Sequence, residues 1–190
     1  MRLFVGIEFD GAVIERLSSI QNELRAKVNR GRFPARNNMH LTLHFFGEVA
    51  DGKVHAIVSS LEKVALTYQP FVFSFNKQLG YFGHSNPARV VWVGIDGDHS
   101  KLLQLQSLVS SAMQRLGFPG ESRAYHPHVT LAREADFISI ALLRERGRIE
   151  YDIGPLPPVH VNCFSLISSS LEQGKRIYRP LATLELSKNK

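Results

Sequence analysis

Cysteine is all but missing from this chain: Cys163 is the only one. A single thiol cannot close an intramolecular disulfide, nor can it supply a thiolate zinc cluster. It sits in VHVNCFSLI, an apolar run that marks a buried strand position rather than a nucleophile. Long apolar stretches are missing as well. No run approaches the roughly 20 residues that span a bilayer. The opening MRLFVGIEFD is apolar for only a few residues before Glu8 and Asp10, too short for a secretory signal. The expectation is a cytoplasmic protein with no membrane partner. There is also no block of lysine and arginine alone that would act as a basic arm, although the net charge is +6 and the pI about 9.7. A positive surface attracts polyanions, so nucleic acid is mildly favoured as a partner. A modest basic balance with no specific meaning accounts for the charge equally well.

What is present is an internal repeat. Phe4-Val5-Gly6-Ile7 resembles Trp92-Val93-Gly94-Ile95, and His40-Leu41-Thr42-Leu43 resembles His128-Val129-Thr130-Leu131. Gly94 follows Gly6 by 88 residues and His128 follows His40 by the same 88. A shared offset between two separate landmarks points to two related halves, meeting near 80–90, where GYFGHSNPA reads as a turn or exposed loop. Val13, Leu17, Ile20, Leu24 and Val28 recur at helical spacing. So do Leu102, Leu105, Leu108, Ala112 and Leu116, with Gly117 as a stop. A third helix is predicted over 54–65 and a fourth over 138–146. Strands are predicted over 3–7, 39–46, 71–78, 89–95, 128–133, 159–167 and 177–186, with Phe71, Phe73 and Phe75 sharing a face. The expected fold is α+β. It is a single domain over 1–190, made of two repeat-related lobes, each a mostly antiparallel sheet with outer helices. The two sheets face each other across a groove.

Side chains alternate along a strand, so His40 and Thr42 share one face while Leu41 and Leu43 take the other. The same holds for His128 and Thr130 against Val129 and Leu131. If the repeat relates the lobes, both His-Thr pairs converge on the groove. Two imidazoles and two hydroxyls suit phosphate ester chemistry. One neutral histidine takes a proton from water and the other, protonated, gives one to the departing oxygen; histidine titrates near 6.5, so both roles exist around neutral pH. Threonine hydroxyls donate to nonbridging oxygens as charge grows. A lone His-x-Thr means little, but two at a matched offset are specific. A metal site is the rival reading. By strict alternation His44 and His126 join the same inward face, and four histidines suffice for zinc. No Asp or Glu stands with them at the repeated positions, whereas catalytic metal sites for phosphate chemistry usually recruit carboxylates.

The segments HLTLHFFGEV at 40–49 and HPHVTLAR at 126–133 resemble the paired signatures of the two-histidine (2H) phosphoesterase superfamily. The similarity is greatest to its RNA 2′,3′-cyclic phosphodiesterases, also called 2′-5′ RNA ligases. RLFVGIEF, ARVVWVGI and ISSSLEQGKRIYRPL look like that branch too. The resemblance implies a bilobal fold with a central cleft. It also implies hydrolysis of RNA 2′,3′-cyclic phosphate ends, tRNA fragments among them, to 2′-phosphates by a monomer, with no cofactor and no metal. Reverse 2′-5′ ligation occurs in some relatives. On matched positions His40 is the proton donor, His128 the proton acceptor, and Thr42 and Thr130 hold phosphate. Arg133 ends the second motif, at a position the family uses for phosphate or nucleotide. Strict alternation from His128 turns it away, unless a bulge redirects it; a solvated surface arginine is the alternative. Phe46 shares parity with His40 and is a candidate base-stacking platform or a core residue. Tyr125 and Tyr178 are weaker candidates of the same kind, and Trp92 is expected in the core. Two other functions stay open: a 2H phosphodiesterase acting on small cyclic nucleotides, and a non-catalytic RNA-binding module of the same fold.

Overall fold

A computed structural model describes residues 1–83, 86–97, 99–144 and 147–187 of the chain. The strand after the initiator, β1 (Arg2–Glu8), is buried at five consecutive positions, as befits a central strand with both faces covered. It leads into α1 (Gly11–Arg25). The Asp10 side chain caps this helix by accepting the Val13 N–H at 2.9 Å, satisfying one of the free amides of the first turn. Val13, Leu17, Ile20 and Leu24 form its buried stripe. Val28, expected on the same helix, instead opens the short strand β2 (Val28–Arg32). The strand β3 (His40–Glu48) follows, and then α2 (Val54–Leu66).

Next comes a long hairpin of β4 (Phe71–Phe82) and β5 (Ala88–Asp96), then α3 (Ser100–Arg115) and β6 (His128–Phe137). The buried stripe of α3 is Leu102, Leu105, Val109, Ala112 and Met113, and Leu108 lies outside it, exposed. The helix expected over 138–146 is not formed. Residues 140–142 make one 3₁₀ turn and Leu143–Arg144 is strand β7; Glu145 and Arg146 lie outside the described residues, as do His84 and Ser85 of the expected 80–88 loop. The chain ends in β8 (Arg148–Asp152), β9 (Val159–Val161), β10 (Cys163–Glu172) and β11 (Lys175–Glu185).

The fold is α+β. The strands pair in the order β11-β10-β1-β3-β6-β5-β4-β8-β7, with β2 on β6 and β9 on β4, and every pairing is antiparallel. The two expected sheets are therefore continuous, joined where Leu41 of β3 pairs with Val129 of β6. Nor does the chain divide at 80–90. The described residues there end β4 and begin β5, paired strands that both lie on the β6 side, while the C-terminal hairpin β10–β11 returns to complete the β1–β3 side. Antiparallel pairing rewards the nearest complementary strand in space, not the halves of the sequence.

Behind the sheet, the stripes of all three helices and the aliphatic residues Val5, Leu41, Leu43, Val93, Val129 and Leu131 form one contiguous core. Leu41 and Val129 are completely buried, each stabilising the junction by about 1.5–3 kcal/mol. Among the described residues no helix is long and apolar enough to cross a membrane.

Candidate active site

The Leu41–Val129 pair is the geometric key. Both side chains face the core, so their neighbours His40, Thr42, His128 and Thr130 all face the other way. Antiparallel pairing at Leu41–Val129 sets His40 on the Thr130 side of the junction and Thr42 on the His128 side. The four residues singled out by the repeat thus form a square on the open face of the sheet, with the two imidazoles on one diagonal.

Each imidazole is fixed in the same way. His40 Nδ1 lies 2.7 Å from the Asn38 carbonyl oxygen, and His128 Nδ1 lies 2.7 Å from that of His126. A carbonyl only accepts, so Nδ1 carries the proton in both rings and Nε2 keeps its lone pair. His40 Nε2 is 3.1 Å from Thr42 Oγ1, which donates to it.

Aromatic side chains hold the rings from the sides. Phe4 (4.5 Å between centroids) and Tyr178 (5.2 Å, edge-on) flank His40. Phe82 (5.2 Å) and Trp92 (6.2 Å) flank His128. Burial pushes His40 down to about 4; the Asn38 carbonyl works against this, while the charges of His128 and Arg133 reinforce it. His128 is also pushed down, first by burial, with the charges of His126 and Arg133 adding to it. Both rings are neutral at neutral pH when the site is empty.

Two bulges decide what else reaches this face. Gly6 pairs with Thr42 but Val5 with His44, so β3 carries an extra residue, Leu43. Trp92 pairs with Thr130 but Val91 with Ala132, so β6 carries an extra Leu131, which is 88 residues on. Each bulge reverses the alternation beyond it. Arg133 is thereby turned onto the histidine face, where its charge is felt by both rings.

On β3 the same reversal corrects the facing of His44 and decides between the two readings of Phe46. Phe45, not Phe46, takes the open face: it is 37 % exposed, lies under the Arg2 guanidinium at 4.9 Å and lines the cleft. Phe46 packs against Phe118 and the core. His44, paired with fully buried Val5, is only 4 % exposed; it lies beside Gly120, and both border the cleft at its inner wall. The four-histidine cluster of the metal reading is therefore not assembled, since His44 and His40 occupy opposite faces. His126 does stay near His128, with ring centroids 6.3 Å apart. Among the described residues no three His, Cys, Asp or Glu side chains gather as a ligand set.

Tyr125 donates its hydroxyl to the Thr42 carbonyl at 2.8 Å, bracing β3, and burial raises its pKa. Tyr178 stands directly against His40. Trp92, expected in the core, is half-buried and faces the site. Its ring lies over Gly80, where a Cβ would fall 2.3 Å from it. The cleft, about 880 Å³, opens beside Thr42 and His128 toward Phe82, Arg89, Arg123 and Tyr125. Sequence periodicity missed Phe45, Phe82 and Trp92 because their facing depends on register. The one signal available was the small residue Gly80 that leaves room for the indole.

A family model for the 2′-5′ RNA ligase superfamily matches residues 11–163. An RNA 2′,3′-cyclic phosphodiesterase of Methanothermobacter thermautotrophicus is 29% identical over 175 residues, covering 92% of this chain and 90% of the relative. One of Archaeoglobus fulgidus is 34% identical over 133 residues, 70% of this chain and 72% of the relative. Among solved structures, Escherichia coli LigT complexed with 3′-AMP superposes with a TM-score of 0.78 at 26% identity, covering 98% of both chains.

Proposed function

The chain belongs to the 2′-5′ RNA ligase superfamily, and from that footing we propose that it hydrolyses RNA 2′,3′-cyclic phosphate ends to 2′-phosphates by proton transfers between two histidines, without a metal. One observation carries this reading: two imidazoles on one face of the sheet, each with Nδ1–H tied to a carbonyl two residues upstream, which leaves Nε2 as the unprotonated nitrogen. The relatives named RNA 2′,3′-cyclic phosphodiesterase support the substrate. The basic charge of the chain suits it.

In the reaction, His128 Nε2 takes a proton from water as the water oxygen attacks phosphorus. The bond from phosphorus to O3′ breaks, and His40, protonated, gives its proton to O3′. A 2′-phosphate and a free 3′-hydroxyl result, and the two rings have exchanged protonation states, which solvent restores. His40 takes the donor role from its place in the first of the two motifs, HLTL, and His128 the acceptor role from its place in the second. Thr42 and Thr130 donate to the nonbridging oxygens, Thr42 leaving His40 Nε2 to do so. Arg133 adds positive charge on the same face. A 5′-hydroxyl in place of water gives 2′-5′ ligation by the same transfers. The same reading takes the two sides of the sheet as repeat-related lobes of one domain, working as a cytoplasmic monomer.

Purified protein in the presence of strong chelator should convert an oligonucleotide 2′,3′-cyclic phosphate to the 2′-phosphate. Loss of turnover with chelator, restored by a divalent metal, would return the chemistry to a metal. A 3′-phosphate product would reverse the orientation of the substrate between the two rings.

A further inference from the structure

The two sides of the site differ in register, and on the β1 side the difference pairs a carboxylate with the histidine. Gly94 pairs with His128, but His40 pairs with Glu8 at the end of β1. Glu8 thus shares the open face with His40, Thr42 and Gly6. It does not stand alone. Ser165 on β10, paired with Gly6, donates its hydroxyl to Glu8 Oε2 at 2.8 Å. Thr183 on β11, paired with Ser165, lies 3.3 Å from the same hydroxyl oxygen.

Because the Ser165 proton is already given to Glu8, Thr183 must be the donor in that second contact. Every proton in the row runs toward the carboxylate. Ser165 is 2 % exposed, while Glu8 is exposed. The row therefore ends on the open face as an acceptor. Such a group repels phosphate oxygens and attracts a hydroxyl, the polarity opposite to that of Arg133 beside the other strand.

We propose that Glu8, set by Ser165 and Thr183, is a ribose subsite that accepts a hydrogen bond from the 2′-hydroxyl of the nucleotide preceding the cyclic end. This rests on the function proposed above. With His40 serving the 3′-oxygen, the terminal ribose lies on the Glu8 side of the phosphorus. The terminal sugar has no free hydroxyl while its phosphate is cyclic, so the first hydroxyl the strand offers on that side belongs to the preceding ribose. A 2′-hydroxyl is what separates RNA from DNA at a given site, and carboxylates read ribose hydroxyls in nucleotide folds by the same chemistry.

Two oligonucleotides test it, both ending in a ribonucleotide 2′,3′-cyclic phosphate, one all-ribose and one with 2′-deoxyribose at the preceding position. The native protein should show kcat/KM about tenfold lower on the deoxy substrate, in keeping with the loss of a hydrogen bond to a charged group. Glu8→Ala should bring the two substrates within twofold of each other. Glu8→Gln, which keeps an acceptor for Ser165, should fold as the native protein does and give an intermediate ratio. Equal rates of the native protein on both substrates would overturn the subsite while leaving the hydrolysis intact. So would a deficit that persists in Glu8→Ala. Failure to hydrolyse even the all-ribose substrate would overturn the proposed function and the subsite together.

Discussion

If one ring must be protonated and the other neutral, the pH dependence of kcat/KM is fixed by how far burial has lowered both. His40 is pushed down to about 4, so at pH 7 about one free molecule in a thousand carries its proton there. His128 is lowered as well, by burial and by the charges of His126 and Arg133. Neutral pH therefore lies above both apparent values of the pair. The population of the one-proton form then falls tenfold for each unit of pH. The expected profile of kcat/KM on a cyclic-ended oligonucleotide peaks between about 4 and 6.5 and drops about a hundredfold from pH 7 to 9. Bound phosphate stabilises the imidazolium, so the alkaline limb of kcat should lie at higher pH than that of kcat/KM. Arg133→Gln removes a charge that both rings feel and should carry the alkaline limb of kcat/KM upward as well. A flat kcat/KM from pH 6 to 9, or an optimum above 7, would refute the reasoning. An Arg133→Gln limb that stays in place or moves down would show that the guanidinium does not act on the pair.

The same burial makes the fold acid-sensitive. Folded His40 resists protonation down to about 4, whereas in the unfolded chain it takes up a proton near 6.5. Its contribution is complete above 6.5 and lost as pH falls toward 4, a difference of about 3 kcal/mol, with His44, His126 and His128 acting in the same direction. Urea midpoints at pH 7.5 and 4 should differ accordingly, and equal midpoints would contradict it. Gly80→Ala forces a Cβ to within 2.3 Å of the Trp92 ring, which must move against Phe82 and His126. A lower Tm and a slower rate are expected, whereas an unchanged Tm would mean the indole has room to spare. Phe45→Ala should raise KM for oligonucleotides with little loss of stability, because Phe45 lies on the open face. Phe46→Ala should lower stability with KM near native; the opposite assignment would place the β3 bulge elsewhere.

Much of this was legible in residue order. The 88-residue offset found His40, Thr42, His128 and Thr130, and alternation over three residues sufficed to put each pair on one face. Alternation failed beyond Thr42 and Thr130, where Leu43 and Leu131 bulge. It sent His44 and Phe46 to the site and Arg133 away from it, each the reverse of what the register gives. A bulge is a property of two strands fitted together, and Leu43 reads locally like any core leucine. The Glu8–His40 pair was hidden for the same reason: an acidic residue and a histidine 32 positions apart meet only once β1 and β3 are in register. The exchange of β4 and the β10–β11 hairpin between the two sides likewise depends on which edges need a partner, which no local pattern records.

The most direct test is turnover of a cyclic-ended oligonucleotide by His40→Ala, His128→Ala and the double variant, each confirmed folded by circular dichroism. Two groups passing protons across a single phosphorus work as a unit. Each single loss should therefore cost about 10²–10⁴-fold in kcat, and the double loss little more than the worse single. A kcat within a fewfold of native in either single variant, or penalties that multiply fully in the double, would contradict a shared two-histidine site.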